Sequence, residues 1–155
     1  MTNVTFVCLG NICRSPMAEL IFRDMVERQG LSSEFRISSF GTSDEEEGHA
    51  IYYPAQKTLA LHGITGSHRA QQLTLQDVER NDYILVMDEN NLRDVLRLTG
   101  GKYSEKIYKL CSFTDRDRNV ADPWYTRDFE RAFCDIEDGC RGFLHYLLGN
   151  KPESE

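Results

Sequence analysis

The chain has 155 residues, 40% hydrophobic and 28% charged, which suits one globular domain with a core of its own. Its 18 basic and 25 acidic residues leave a net charge of −7, which argues against a nucleic-acid binder working through a basic face. There is no apolar run of the roughly 18 residues a membrane span needs. The N-terminus also lacks a basic stretch followed by an apolar signal region, so the expectation is a cytoplasmic protein that works away from membranes.

In chain order, the pattern predicts a strand over Val4–Cys8 and then a helix from Ser15 to Gln29, with Ala18, Ile21, Phe22, Met25 and Val26 at helical spacing. A short strand follows at Phe35–Ser39, a helix at Pro54–Gly63, and a short helix after Leu73 with Thr74 as its cap. Tyr83–Met87 is apolar throughout and reads as a strand buried on both faces. A helix at Asp88–Leu98, a fourth strand at Ile107–Leu110 and a long helix at Phe129–Leu148 complete the order. Strands alternating with helices imply an α/β fold: a doubly wound, four-stranded parallel sheet with helices on both faces. Residues 1–149 form the expected single domain, and 150–155 a polar tail.

Cysteines stand at 8, 13, 111, 134 and 140, an odd and uneven set unlike a secreted disulfide framework. No Cys-x2-Cys or His-x3-His spacing suggests zinc, and no metal or cofactor is expected.

The chemistry concentrates in the loop after the first strand: Cys8-Leu9-Gly10-Asn11-Ile12-Cys13-Arg14-Ser15, followed by Pro16. A thiol begins this loop, a guanidinium ends it, and a helix starts at once. Amides at a helix N-terminus bind anions and favour a thiolate. Five residues between Cys8 and Arg14 allow one tight loop with its amides turned inward. Gly10 is the residue expected to take a positive φ and let the backbone approach the anion. Arg14 offers a planar fork matched to two phosphate oxygens, which lysine lacks. Ser15 is placed to hydrogen-bond the Cys8 sulfur and to cap the helix, with Pro16 at its first position. Such a loop holds a phosphate and presents a nucleophile to it. The loop lies at the carboxyl end of a strand, where ligands bind in open α/β sheets. Cys13 reads equally as a packing residue or as a partner for a reversible disulfide with Cys8.

Phosphate transfer also needs a proton donor for the leaving group. Asp122, in Asp122-Pro123-Trp124-Tyr125, is the leading candidate, with Asp115, Asp117 and Asp128 as alternatives nearby. Pro123 favours an extended Asp122. Trp124 and Tyr125 offer an aromatic wall on which an aryl phosphate can stack.

With both segments in view, the chain resembles the low-molecular-weight protein tyrosine phosphatases. Ser39-Phe40-Gly41-Thr42, Ser67-His68-Arg69-Ala70 and Met87-Asp88-Glu89-Asn90-Asn91-Leu92 also resemble elements of that family. The resemblance implies metal-free, two-step hydrolysis of phosphotyrosine proteins and aryl phosphates. Cys8 is then the nucleophile, Arg14 and the amides of residues 9–15 hold phosphate, and Asp122 is acid and then base. It further implies that Asn11, Ser15, Ser39 and His68 fix the loop and that Cys13 protects Cys8 through a disulfide. Inorganic phosphate is the implied product. Self-association through Trp124 and Tyr125 would be weak, giving a monomer or a weak homodimer.

One departure stands out. Ser43-Asp44-Glu45-Glu46-Glu47 replaces a stretch where relatives often carry an aromatic wall residue. A solvated loop is the favoured expectation for this run. If it lines the cleft instead, Glu45 becomes a substrate-wall residue, and Tyr52 or Tyr53 is a candidate for the missing aromatic wall.

Three rival functions follow from the same residues. A protein arginine phosphatase shares the fold and loop but tends to carry Thr where this chain has Ile12, which suits an aromatic substrate better. An arsenate reductase needs further cysteines near the strand at Tyr83–Met87, where this chain has none; Cys134 and Cys140 sit six apart on the last helix and face opposite sides. A silent phosphopeptide-binding module would have lost Cys8, Arg14 or Asp122, and all three are present.

Overall fold

The computed structural model describes residues 1–149, so the expected tail at 150–155 lies outside the described residues. Four strands form one parallel sheet in the order β2-β1-β3-β4: β1 (Thr2–Cys8), β2 (Phe35–Gly41), β3 (Tyr83–Val86) and β4 (Ile107–Lys109). Among the described residues, six α-helices connect and cover them: α1 (Arg14–Arg28), α2 (Tyr53–Leu61), α3 (Leu75–Arg80), α4 (Glu89–Thr99), α5 (Pro123–Thr126) and α6 (Phe129–Leu147).

Alternation along the central strands sorts the core into two layers. Val4, Phe6 and Cys8 of β1 and Leu85 of β3, with Met87 just beyond it, join Phe22 of α1 and Phe133 and Phe143 of α6. Val7 of β1 and Ile84 and Val86 of β3 face the other way, onto Val78 of α3 and Val95 of α4. A strand walled by helices on both sides must be apolar along its length, which is why Tyr83–Met87 reads as a continuous apolar run.

The helix ends follow local chemistry. Thr74 caps α3 in a reciprocal box with Asp77, as expected. Asp88 caps α4 in the same way with Asn91, and Gly100 ends it at φ 65°. The start of α1 differs from expectation. It begins at Arg14 after Cys13, without a side-chain cap, so Ser15 is not a cap and Pro16 is not its first residue. The short α5 was not anticipated. Its cap is Asp122, whose side chain accepts the Trp124 N–H.

Chain order 2-1-3-4 reverses direction between β1 and β3, and a crevice opens there at the carboxyl ends of the strands. The loops after β1, β2, β3 and β4 therefore converge on one place.

Candidate active site

Cys8 is the last residue of β1, buried at 3% exposure, and the loop after it curls back over its sulfur. The backbone N–H groups of Asn11 and Ser15 point at Cys8 Sγ from 3.3 and 3.4 Å. Ser15 Oγ lies 3.0 Å from the same sulfur. The loop turns at Asn11, which takes φ 60°, so the left-handed residue is Asn11 and not Gly10 as expected. Asparagine tolerates this region better than most residues. Gly10 serves differently: a β-carbon there would touch Glu46 Cγ at 3.4 Å. Gly41 has a stricter role, since a β-carbon would fall 2.8 Å from the Leu9 carbonyl oxygen. Its absence lets the end of β2 lie against the loop.

A buried polar network fixes Asn11. Its Nδ2 donates to Ser15 Oγ at 2.7 Å and to Ser39 Oγ at 3.1 Å. Its Oδ1 accepts from His68 Nε2 at 2.7 Å and from the Gln71 N–H at 3.0 Å. Ser39 in turn donates to Glu19 Oε1 at 2.6 Å. These donors set a direction. Because Ser15 Oγ accepts from Asn11, its own proton is free to point at Cys8 Sγ, which is thereby prepared as an acceptor. Burial pushes His68 below its ordinary value, while the Glu19 carboxylate acts in the opposite sense. The ring donates through Nε2 to Asn11, and its Nδ1 lies 3.3 Å from Glu19 Oε1. Asn11, Ser15, Ser39 and His68 thus come together as the resemblance implied. Glu19 and Gln71 were not foreseen; the only sequence signal for Glu19 is a carboxylate among the apolar positions of α1.

Arg14 is 2% exposed. Its Nη1 donates to Asp88 Oδ2 at 2.6 Å and to the Val120 carbonyl at 2.8 Å, and its Nη2 reaches Asp122 Oδ2 at 3.3 Å. Burial opposes the charge, but the Cys8 sulfur, Asp122 and Asp88 more than offset this, and the pKa moves up. A permanent cation is thereby held beside the thiol. Asp88, the cap of α4, is a third residue that sequence reasoning missed as part of the site. Asp122 is extended at φ −75°, ψ 112°, as the following proline requires, and its Oδ1 accepts the Trp124 N–H at 3.0 Å. The three alternative aspartates are occupied elsewhere or exposed. Asp117 pairs with Lys109, Asp128 caps α6, and Asp115 lies at the surface.

These groups line a cavity of about 190 Å³ whose floor is Cys8 and the loop and whose walls include Trp124, Tyr125, Glu45 and Glu46. The acidic run is therefore not simply a solvated loop: Glu45 and Glu46 line the cleft, and the Glu46 carboxylate pairs with His49 Nδ1 at 2.8 Å. Neither Tyr52 nor Tyr53 supplies a wall. Tyr53 is 72% exposed, and the Tyr52 ring packs behind Trp124 with centroids 4.8 Å apart. Cys13 is buried at the end of the loop, and burial, with the charges of Cys8 and Asp122, pushes its thiol up to about 12. All five cysteines are free thiols, with Cys134 exposed and Cys140 buried on α6. A larger hollow of about 500 Å³ lies between α1, α2 and α6 around Phe133 and His62, but no cysteine, serine or threonine lines it. Among the described residues, no group of three or more His, Cys, Asp or Glu is arranged to hold a metal ion. No described helix is long and apolar enough to cross a membrane.

Known proteins carry the same pattern. The sequence profile of the family described as low molecular weight phosphotyrosine protein phosphatase matches residues 3–153. The human protein of that name is 42% identical over 147 residues, covering 92% of this chain and 93% of its own. The crystal structure of YfkJ from Bacillus subtilis is 37% identical and superposes with a TM-score of 0.94, covering 97% of each chain. A drosophila protein described as an arginine phosphatase is 30% identical, with a TM-score of 0.89 over 97% of this chain and 100% of that one. A thiol under a nest of amides, its arginine and the length of these matches together lead to one conclusion: the chain belongs to the low molecular weight protein tyrosine phosphatase family.

Proposed function

We propose that the chain hydrolyses phosphotyrosine in proteins through a phosphocysteine on Cys8. The phosphoryl group sits on the amides of residues 9–15 and on Arg14. The Cys8 thiolate attacks phosphorus, a P–S bond forms, the P–O bond to the phenol breaks, and Asp122 gives its proton to the departing oxygen. Water then attacks phosphorus, Asp122 takes its proton, and the P–S bond breaks to return the Cys8 thiolate. Inorganic phosphate leaves, and the sulfur regains its hydrogen bond from Ser15. The ring of the substrate stacks on Trp124 and Tyr125. The observation that carries this reading is the triple approach of donors to Cys8 Sγ, from Asn11 N, Ser15 N and Ser15 Oγ, beneath a cavity that also exposes Arg14 and Asp122. Cys13 stands in the same loop, and its role is to trap oxidised Cys8 as a disulfide. Five free thiols fit a reducing, cytoplasmic setting.

A second reading, phosphoarginine hydrolysis, draws on Glu45 and Glu46, since carboxylates in the cleft wall suit a guanidinium. Ile12 and the aromatic wall favour tyrosine. Phosphate release from a phosphotyrosine peptide and from its phosphoarginine counterpart decides between them. A higher kcat/KM on phosphotyrosine, lost in Cys8→Ser, supports the proposal. The reverse order replaces it with the second reading, and release by Cys8→Ser overturns both.

A further inference from the structure

Arg14 holds the loop that carries Asp122 at Val120 and at Asp122 itself, but the segment beyond stands out toward solvent. The helix α5 has only four residues, too few to be stable alone, and Trp124 and Tyr125 are exposed at 44% and 76%. Just beyond it, Arg127 adopts φ 62°, a left-handed conformation that glycine takes freely and that a β-carbon disfavours. Something on the other side must hold that residue in place, and the contacts show what does.

Arg127 Nη2 donates to Tyr52 Oη at 3.1 Å, and Arg127 Nη1 donates to the Trp124 carbonyl at 3.4 Å. The guanidinium lies 5.5 Å from the Tyr52 ring centre and 5.4 Å from that of Phe129. The Tyr52 ring packs on Trp124 and, at 5.9 Å, on Phe129. The Tyr52 backbone N–H donates to the Ile12 carbonyl at 2.9 Å, inside the phosphate loop. A continuous path therefore runs from the loop that holds the phosphate, through Tyr52, to both ends of the short helix capped by Asp122.

We propose that Tyr52 and Arg127 are positioning residues: a strut that fixes the Asp122 loop at its working distance from the phosphate loop. The proposal rests on the assignment of Asp122 as the acid. Proton transfer to a leaving group is steep in distance, and a misplacement near 1 Å can cost about 100-fold. A loosened strut therefore harms most the substrates that need the proton most.

The test compares kcat/KM for phenyl phosphate, a poor leaving group, with p-nitrophenyl phosphate, a good one. The quantity read is the ratio of the two within each variant, together with its urea midpoint. Tyr52→Phe removes only the hydroxyl and keeps the ring. Arg127→Gly removes the guanidinium while relieving the backbone. The expected fall in the phenyl to p-nitrophenyl ratio is about tenfold for Arg127→Gly and about threefold for Tyr52→Phe. Because both act on one link, the double variant should fall no further than Arg127→Gly alone. The urea midpoint of Arg127→Gly should hold or rise, which a purely structural role would not give. Asp122→Ala serves as the reference. If it collapses the ratio while both strut variants keep the wild-type ratio, the strut is refuted and the acid stands. Equal losses on both esters would also refute the strut. If Asp122→Ala leaves the ratio unmoved, the acid assignment falls first and takes the strut with it.

Discussion

Replacing Asn11 separates two costs that the structure places on one residue. Its side chain is 1% exposed and serves four partners, Ser15, Ser39, His68 and Gln71, while its backbone stands at φ 60°. In Asn11→Ala all four contacts are lost. Ser15 and Ser39 keep other partners in Cys8 and Glu19, and His68 Nε2 keeps Ser39, so the Gln71 N–H is the clearest orphan. One poorly satisfied group costs about 1–3 kcal/mol. Holding an alanine in the left-handed region adds about 1 kcal/mol. The sum is about 3 kcal/mol for Asn11→Ala and about 2 kcal/mol for Asn11→Gly, which loses the contacts but not the backbone comfort. Urea unfolding should rank wild type above Asn11→Gly and Asn11→Ala last. Both variants should lose about tenfold or more in aryl phosphate turnover, because Ser15 no longer has a donor steering its proton to the sulfur. Equal stability for the alanine and glycine variants, or wild-type turnover in either, would refute the reasoning.

Three other outcomes follow from the same geometry. Glycine to alanine within a helix usually stabilises by up to about 1 kcal/mol, yet Gly142→Ala in α6 should destabilise, since its β-carbon would fall 2.2 Å from the Phe113 carbonyl oxygen; a raised thermal midpoint would contradict this. In the double variant Glu45→Gln/Glu46→Gln, the ratio of kcat/KM for a lysine-flanked over a glutamate-flanked phosphotyrosine peptide should fall by about threefold at low salt, as exposed Glu45 and half-buried Glu46, which pairs with His49, are neutralised; an unchanged ratio would remove them from substrate choice. His68, depressed by burial below its ordinary 6.5, binds fewer protons folded than unfolded, so stability is fully present above about pH 6.5 and declines as pH falls toward the folded value. The urea midpoint of wild type should drop between pH 7 and about pH 5.5 more steeply than that of His68→Gln, and parallel slopes would exclude His68 as the source.

The phosphate loop was legible because its chemistry is contiguous. Strand, thiol, amides, arginine and helix succeed one another within Val4–Met17, so spacing alone fixes their relation. The sheet was legible for a similar reason, since the alternation in β1 and the apolar run of β3 follow directly from burial on two faces. Asp122 was named but not distinguishable by spacing from Asp115, Asp117 and Asp128; in the fold it is the one of these four that lies against Arg14. Asp88 and Glu19 were not read as site residues because their partners lie 74 and 20 positions away. The left-handed turn was assigned to Gly10 on glycine's freedom, yet Asn11 takes it because four side-chain hydrogen bonds hold it there. The acidic run was read as solvated because charge composition cannot reveal that the end of β2 folds back over the loop, where Gly41 permits close contact.

The central claim is that Cys8 carries the phosphoryl group. Rapid-quench mass spectrometry of the enzyme during turnover of an aryl phosphate, in wild type and Asp122→Ala, tests it most directly. The account predicts a phosphoryl increment on the peptide containing Cys8, persisting longer in Asp122→Ala because water attack has lost its base. Steady phosphate release with Cys8 unmodified, or full activity in Cys8→Ser, would contradict it.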